Sequence, residues 1–132
     1  MRAHTADVIL EAFGPDLPAC CEEAVAALVE LFADAERAEL VGSWAASIPA
    51  GGPEEVLLAL LEEVIFVLDT SDGVPVSARV QQRPDGGLDA VLALASPASV
   101  ASTGAVPKAV SRSGLEVRTE PGRVGCSVLV DV

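Results

Sequence analysis

The sequence predicts an α+β fold of two layers, sheets covered by two helices, built from nested strand-helix-strand-strand units. Three observations predict it. Two segments have apolar residues at helical spacing, and the segments around them alternate with a period of two. Clusters of Gly, Pro, Asp and Ser stand at most of the changes of period. The resulting order, strand–helix–strand–helix–strand–strand–loop–strand–strand, resolves into two like units only if the second is nested inside the first. With no linker in evidence, residues 1–132 are expected to form one domain, an inner unit of about 37–94 set within an outer unit of 1–36 plus 95–132.

Residues 3–13 alternate, with Ala6, Val8, Leu10 and Ala12 on one face and Thr5, Asp7, Ile9 and Glu11 on the other. Gly14-Pro15-Asp16 then stops the strand. From Leu17 to Ala33 the spacing becomes helical: Leu17, Cys21, Ala24, Val25, Leu28, Leu31 and Phe32 form a stripe, with Glu22, Glu23 and Glu30 opposite. Pro18 falls in the first turn, where a missing N–H costs nothing. Residues 37–48 alternate again, with Ala38, Leu40, Trp44, Ala46 and Ile48 as the apolar face. After Pro49-Ala-Gly-Gly-Pro53, a second helix runs from Glu54 to about Leu68, its first-turn acids favoured by the helix dipole. It is apolar almost all round and is expected to be the most buried helix; Asp69-Thr-Ser-Asp-Gly73 ends it. Strands Val74–Val80 and Leu88–Leu94 flank a Pro-Asp-Gly-Gly turn at 84–87, a hairpin signal. Residues 95–107 read as a loop, and Leu115–Thr119 with Val124–Val130 as a last hairpin across Pro121-Gly122.

Composition narrows the function. Half the residues, 51%, are hydrophobic, which excludes a disordered tail. Twenty acids against eight bases give a net charge of −12, a balance that repels a phosphate backbone and suits a cationic partner or a divalent ion. Direct nucleic-acid binding is not expected. The three cysteines have neither the number for a disulfide framework nor a C-x-x-C zinc spacing, and the adjacent Cys20 and Cys21 read as small buried hydrophobes. The opening MRAHTADV lacks an apolar signal core, and Glu62 and Glu63 interrupt the longest apolar run; a cytoplasmic protein without a membrane segment is expected.

Few residues carry chemistry. His4 is the only histidine, so a multi-histidine metal site or a Cys–His nucleophile has little support, and a strand-end role suits it. No phosphate-cradling glycine loop and no nucleophile elbow occurs. What remains is carboxylates. Asp7 lies mid-strand, where Asp is disfavoured, and Asp131 sits among Val128, Leu129, Val130 and Val132. A charge in such company must be solvated, paired or on a metal. If the first and last strands are neighbours, Asp7, Asp131 and an oxygen of Val132 would suit a hard divalent cation. The plainer reading is that both aspartates decorate strand ends in water. Lys108 stands in a base-poor stretch as a surface lysine, unless it pairs with one of these acids. Asp69 reads as a cap, Trp44 as core, and Arg112, Arg118 and Arg123 as solvated strand-edge residues.

Several motifs, in order, are similar to those of the archease family: His4-Thr-Ala-Asp-Val8, Leu61-Glu-Glu-Val-Ile-Phe-Val-Leu-Asp-Thr70, Lys108-Ala-Val110 with Leu115-Glu-Val117, and Val130-Asp-Val132. The likeness spans nearly the whole chain. It implies a cytoplasmic accessory protein of an RtcB-type tRNA-splicing RNA ligase that promotes the ligase's guanylylation and multiple turnover and is not itself an enzyme. It further implies that Asp7, Asp131 and Val132 hold a divalent metal, calcium or magnesium/manganese, and that Lys108 acts in partner activation. One departure stands out: Ser111-Arg-Ser-Gly114 replaces a segment that usually carries a tyrosine–histidine pair. Two other readings compete. One is a metal-independent acidic interaction or chaperone-like module. The other is a small metal-dependent hydrolase, for which two carboxylates without a base are too few groups.

Overall fold

The computed structural model describes residues 7–132, and His4 and the rest of the opening motif up to Ala6 lie outside the described residues. In chain order the elements are β1 (Asp7–Gly14), α1 (Leu17–Glu30), β2 (Ala33–Asp34), β3 (Leu40–Ile48), α2 (Pro53–Thr70), β4 (Val74–Gln82), β5 (Leu88–Ala95), a 3-10 turn (Pro97–Ser99), β6 (Ala101–Ser102), β7 (Ala109–Glu120) and β8 (Arg123–Asp131). The strands form two three-stranded antiparallel sheets, ordered β1-β8-β7 and β3-β5-β4, plus the short ladder β2-β6. One sheet therefore draws on the two ends of the described chain and the other on its middle. This is the nested α+β arrangement that the element order predicts.

Local sequence explains most boundaries. Asp16 caps α1 by accepting from the Ala19 N–H at 2.9 Å, with Pro18 in the first turn. At α2 the Glu55 carboxylate accepts from the Gly52 N–H at 3.0 Å. The β4–β5 hairpin turns through Gly86 at φ +93°, a conformation that costs glycine nothing. Arg83 fixes that hairpin to β3: it donates to Ser47 Oγ, Leu88 O, Asp89 Oδ1 and Ile48 O at 2.8–3.0 Å.

Several boundaries differ from the reading of the sequence, and residues 95–107, expected as a loop, carry the 3-10 turn and β6, which pairs with β2. Helix α1 stops at Glu30 rather than Ala33, because Leu31 and Phe32 donate to Leu28 O and Val29 O and tighten the last turn. The strand expected from residue 37 starts at Leu40, since Ala38 N closes a turn on Ala35 O. Helix α2 continues through Asp69, which is thus an exposed residue of the last turn and not a cap; Ser71 N donates to Val67 O there. Finally, β7 covers Ala109–Glu120, more than the expected 115–119, with a bulge between Ser111 and Glu116. Gly114, at φ +81°, falls inside that bulge, as do Arg112 and Ser113.

The core lies between sheets and helices. Leu10 and Ala12 of β1, Cys126, Val128 and Val130 of β8, and Leu88 and Leu92 of β5 belong to one buried cluster with Val25 and Leu28 of α1. Helix α2 contributes Leu57, Leu60, Leu61 and Val64, each 1% exposed or less, which makes it the deeply buried helix its composition predicts. Cys20 and Cys21 are fully buried free thiols, and burial pushes both up to about 12. Each helix also sends a carboxylate to a sheet edge. Glu22 of α1 accepts from the Val80 N–H of β4 at 2.8 Å, and Glu54 of α2 from the Val117 N–H of β7 at 3.1 Å. Both edges lose their free donors there to a side chain instead of to a neighbouring strand.

Candidate functional site at the end of the β1-β8-β7 sheet

The register of the sheet brings the selected residues together. Strands β1 and β8 pair antiparallel with Asp7 directly opposite Asp131. On the other side of β8, Asp131 faces Ala109 of β7, and one residue further the Lys108 N–H donates to Asp131 O at 2.8 Å. Four residues far apart in sequence, Asp7, Lys108, Asp131 and Val132, thus meet at one end of one sheet. Strand alternation sets which way they point. Val8, Leu10 and Ala12, with Val128 and Val130, turn to the core, so Asp7 and Asp131 take the opposite face. The next row on that face pairs Ile9 with Leu129, and Ile9 is 66% exposed.

Asp7 and Lys108 are exposed, while Asp131 and Val132 are half-buried. Val132 packs its side chain against the core, so only its backbone oxygens are free for another role. Among the described residues no ion pair involves Asp7, Asp131 or Lys108. Two like charges placed directly opposite on adjacent strands repel each other, and among the described residues neither is held in an ion pair. Hard oxygen donors on facing strands are the donor chemistry calcium, magnesium and manganese prefer. The set is short, however: no group of three or more His, Cys, Asp or Glu suited to a metal occurs among the described residues. Asp7, Asp131 and a Val132 oxygen would serve such an ion only as part of a shell that water or a partner completes. Two carboxylates with no adjacent base offer little for acid–base catalysis.

The remaining candidates take plainer places. Trp44 is half-buried, donates to Glu63 Oε2 at 2.8 Å and meets Phe66 edge-on at 6.2 Å, so it packs α2 onto β3. Arg118 pairs with Glu116 at 2.7 Å, and Arg123 lies 4.5 Å over the Phe13 ring. The exposed apolar neighbour Ile9 is the surface residue the reading of the sequence did not single out; its two-residue spacing from Asp7 was the available signal.

Two nested strand–helix–strand–strand units, with a facing carboxylate pair where the outer strands meet, define a small acidic α+β protein of one recognisable class. The chain belongs to the archease family: residues 1–132 match the model of the Archease protein family (MTH1598/TM1083). Proteins from two strains of Mycobacterium tuberculosis, CDC 1551/Oshkosh and H37Rv, each described as "Probable protein archease", are 40% identical over 131 residues, covering 98% of this chain and 72% of the relative. The fold is similar to the solution structure of Methanobacterium thermoautotrophicum protein 1598, with TM-score 0.74 and 22% identity over 99% of this chain and 96% of that one. It is also similar to the crystal structure of an archease from Thermotoga maritima, described as a possible chaperone, with TM-score 0.72 and 19% identity over 100% of this chain and 98% of that one. None of these descriptions names an enzyme. Among the described residues, no helix is long and apolar enough to cross a membrane.

Proposed function

We propose that this protein is an archease-type activator of an RtcB-type tRNA-splicing RNA ligase, acting in the cytoplasm to promote the ligase's guanylylation and multiple turnover. The observation that carries the reading is the register that sets Asp7 opposite Asp131, with Lys108 tied to the Asp131 backbone at 2.8 Å. Family membership supports the accessory role, and the matched span, residues 1–132, includes those residues. Asp7, Asp131 and a Val132 oxygen would hold a divalent ion, calcium or magnesium/manganese. When bound, such an ion supplies positive charge beside phosphate oxygens. The chain's own groups do the rest. The sheet fixes the two carboxylates on one face, and Lys108 presents a cation to the partner from the adjoining strand start. The charge of −12 directs the protein toward a basic, RNA-binding surface while keeping it off the RNA itself.

The test is a guanylylation and multiple-turnover assay of a purified RtcB-type ligase from the same organism, with and without this protein. Wild type is expected to stimulate both steps, and Asp131→Asn and Lys108→Ala to stimulate neither. Stimulation unchanged by these substitutions, or none with any divalent ion, would rule the reading out. A second reading, a metal-independent acidic interaction or chaperone-like module, draws on the short donor set among the described residues. It predicts equal activity with chelator and with calcium.

A further inference from the structure

Four strands lie on the outer edges of the two main sheets, and three of them are closed against pairing. Glu22 caps β4 and Glu54 caps β7. Strand β1 carries the charges of Asp7 and Glu11, and the Cys20 thiol reaches its Ala12 O at 3.6 Å. Strand β3 is different. Among the described residues its one strand neighbour is β5, and from Leu40 to Ser47 none of their side chains hydrogen-bonds to its backbone. Only Ile48 O, at its end, accepts from Arg83. Its sequence, Leu40-Val-Gly-Ser-Trp-Ala-Ala-Ser-Ile48, has no charged residue and no proline, the devices by which edge strands ordinarily avoid pairing. Leu40 and Val41 are 62% and 60% exposed, and a Cβ placed on Gly42 would meet nothing within 4 Å. The single bulge lies between Leu40 and Gly42, which leaves the stretch up to Ile48 in regular register.

We infer that the free edge of β3 is a docking strand for an extended segment of a partner protein, apolar or neutral along its middle and flanked by Lys or Arg. Backbone donors and acceptors along the edge supply the affinity, as in other strand-addition complexes. The charge around β3 selects the occupant. Asp34, Glu36 and Glu39 lead into the strand with Arg37 as the one base among them, Asp89 of β5 stands opposite Ser47, and Arg83, which touches the end of β3, is already paired with Asp85 and Asp89. Glu39 adjoins the strand, and Glu63 holds the Trp44 indole. A second copy of this chain would bring another −12 to the same place, whereas a segment with basic flanks meets opposite charge. The inference goes beyond the ligase reading and does not use Asp7, Asp131 or Lys108.

The probe is a synthetic peptide of alternating valine and threonine, as long as β3, with lysines at both ends; a second peptide has glutamates there. Binding is followed by the fluorescence of Trp44, the only tryptophan, and by amide hydrogen exchange. The lysine-ended peptide is expected to slow exchange of alternate amides between Gly42 and Ile48 by about tenfold or more. The glutamate-ended peptide should bind at least ~10-fold more weakly. The exposed-position variant Val41→Lys/Ser43→Lys should lose the lysine-ended peptide to a similar degree, with far-UV circular dichroism and α2 exchange unchanged to show that it is folded. Asp131→Asn should bind the peptide like wild type, which keeps this test separate from that of the ligase reading. Protection outside β3, equal binding of the two peptides, or loss of binding in Asp131→Asn would overturn the proposal. So would sedimentation as a dimer with β3 already protected in the absence of peptide.

Discussion

Replacing Asp131 by Asn should make the metal-free protein more stable and make it deaf to divalent ions. Asp7 and Asp131 are direct cross-strand partners. Such pairs put Cβ atoms about 4.5–5.5 Å apart, and like charges there destabilise by about 0.2–1 kcal/mol. Coulomb's law agrees: two unit charges about 5 Å apart in water repel by ~0.8 kcal/mol. Because Asp7 is exposed, screening holds the gain from Asp131→Asn near ~0.5 kcal/mol at low salt. A 132-residue chain unfolds with an entropy of roughly 0.28 kcal/mol/K, so Tm should rise by about 2 °C. The same change removes a donor. With calcium at about 100 times Kd the wild type should gain ~2.7 kcal/mol, close to 10 °C in Tm, and the variant almost nothing. Calorimetric scans of wild type, Asp7→Asn, Asp131→Asn and the double variant, with chelator and with calcium, at low and high salt, read every part of this. If Asp131→Asn lowered the metal-free Tm, the carboxylates would be making favourable contacts rather than repelling. Equal calcium stabilisation of variant and wild type would place the ion elsewhere.

Other parts of the structure carry their own expectations. Leu60→Ala, at a fully buried position of α2, should cost about 2–5 kcal/mol in a urea titration, since little around it is free to collapse into the cavity. Glu54→Ala leaves the Val117 N–H without its acceptor and should cost about 1–3 kcal/mol, with faster exchange of that amide. The Cys20 and Cys21 thiols, pushed up to about 12 from an ordinary 9.0, should resist a thiol reagent at pH 8 until the protein is unfolded. Their folded pKa is raised, so their contribution to stability is fully present below pH 9 and is lost as pH climbs toward 12, because the unfolded chain sheds these protons first. Gly14→Ala should destabilise clearly, because its Cβ would come within 2.6 Å of Cys20 N, a backbone atom that a side-chain rotation cannot move aside.

Periodicity settled a good deal by itself. The alternation of Val8, Leu10 and Ala12 against Asp7, Ile9 and Glu11 separates the buried face from the exposed one in the structure as it does on paper, since a strand has only two faces. The all-round apolar composition of 54–68 marked α2 as the buried helix, because no other environment accepts that many leucines and valines. Local signals failed where the winning contact was long-range. Nothing near Ala33 announces that helix α1 must end to let β2 meet β6, or that Ser111–Glu116 bulges within a strand continuous with β7. The aspartates show the division most clearly. Their residue types and strand positions were legible in the sequence, and by themselves these favoured a solvated strand end over a metal ligand. That Asp7 faces Asp131, across strands more than a hundred residues apart in the chain, is a matter of sheet order and register, and these are set by which apolar faces bury together over the whole fold. The same holds for Glu22 and Glu54: as helix acids they are ordinary, and only the packing of each helix against a sheet turns them into caps on its edge.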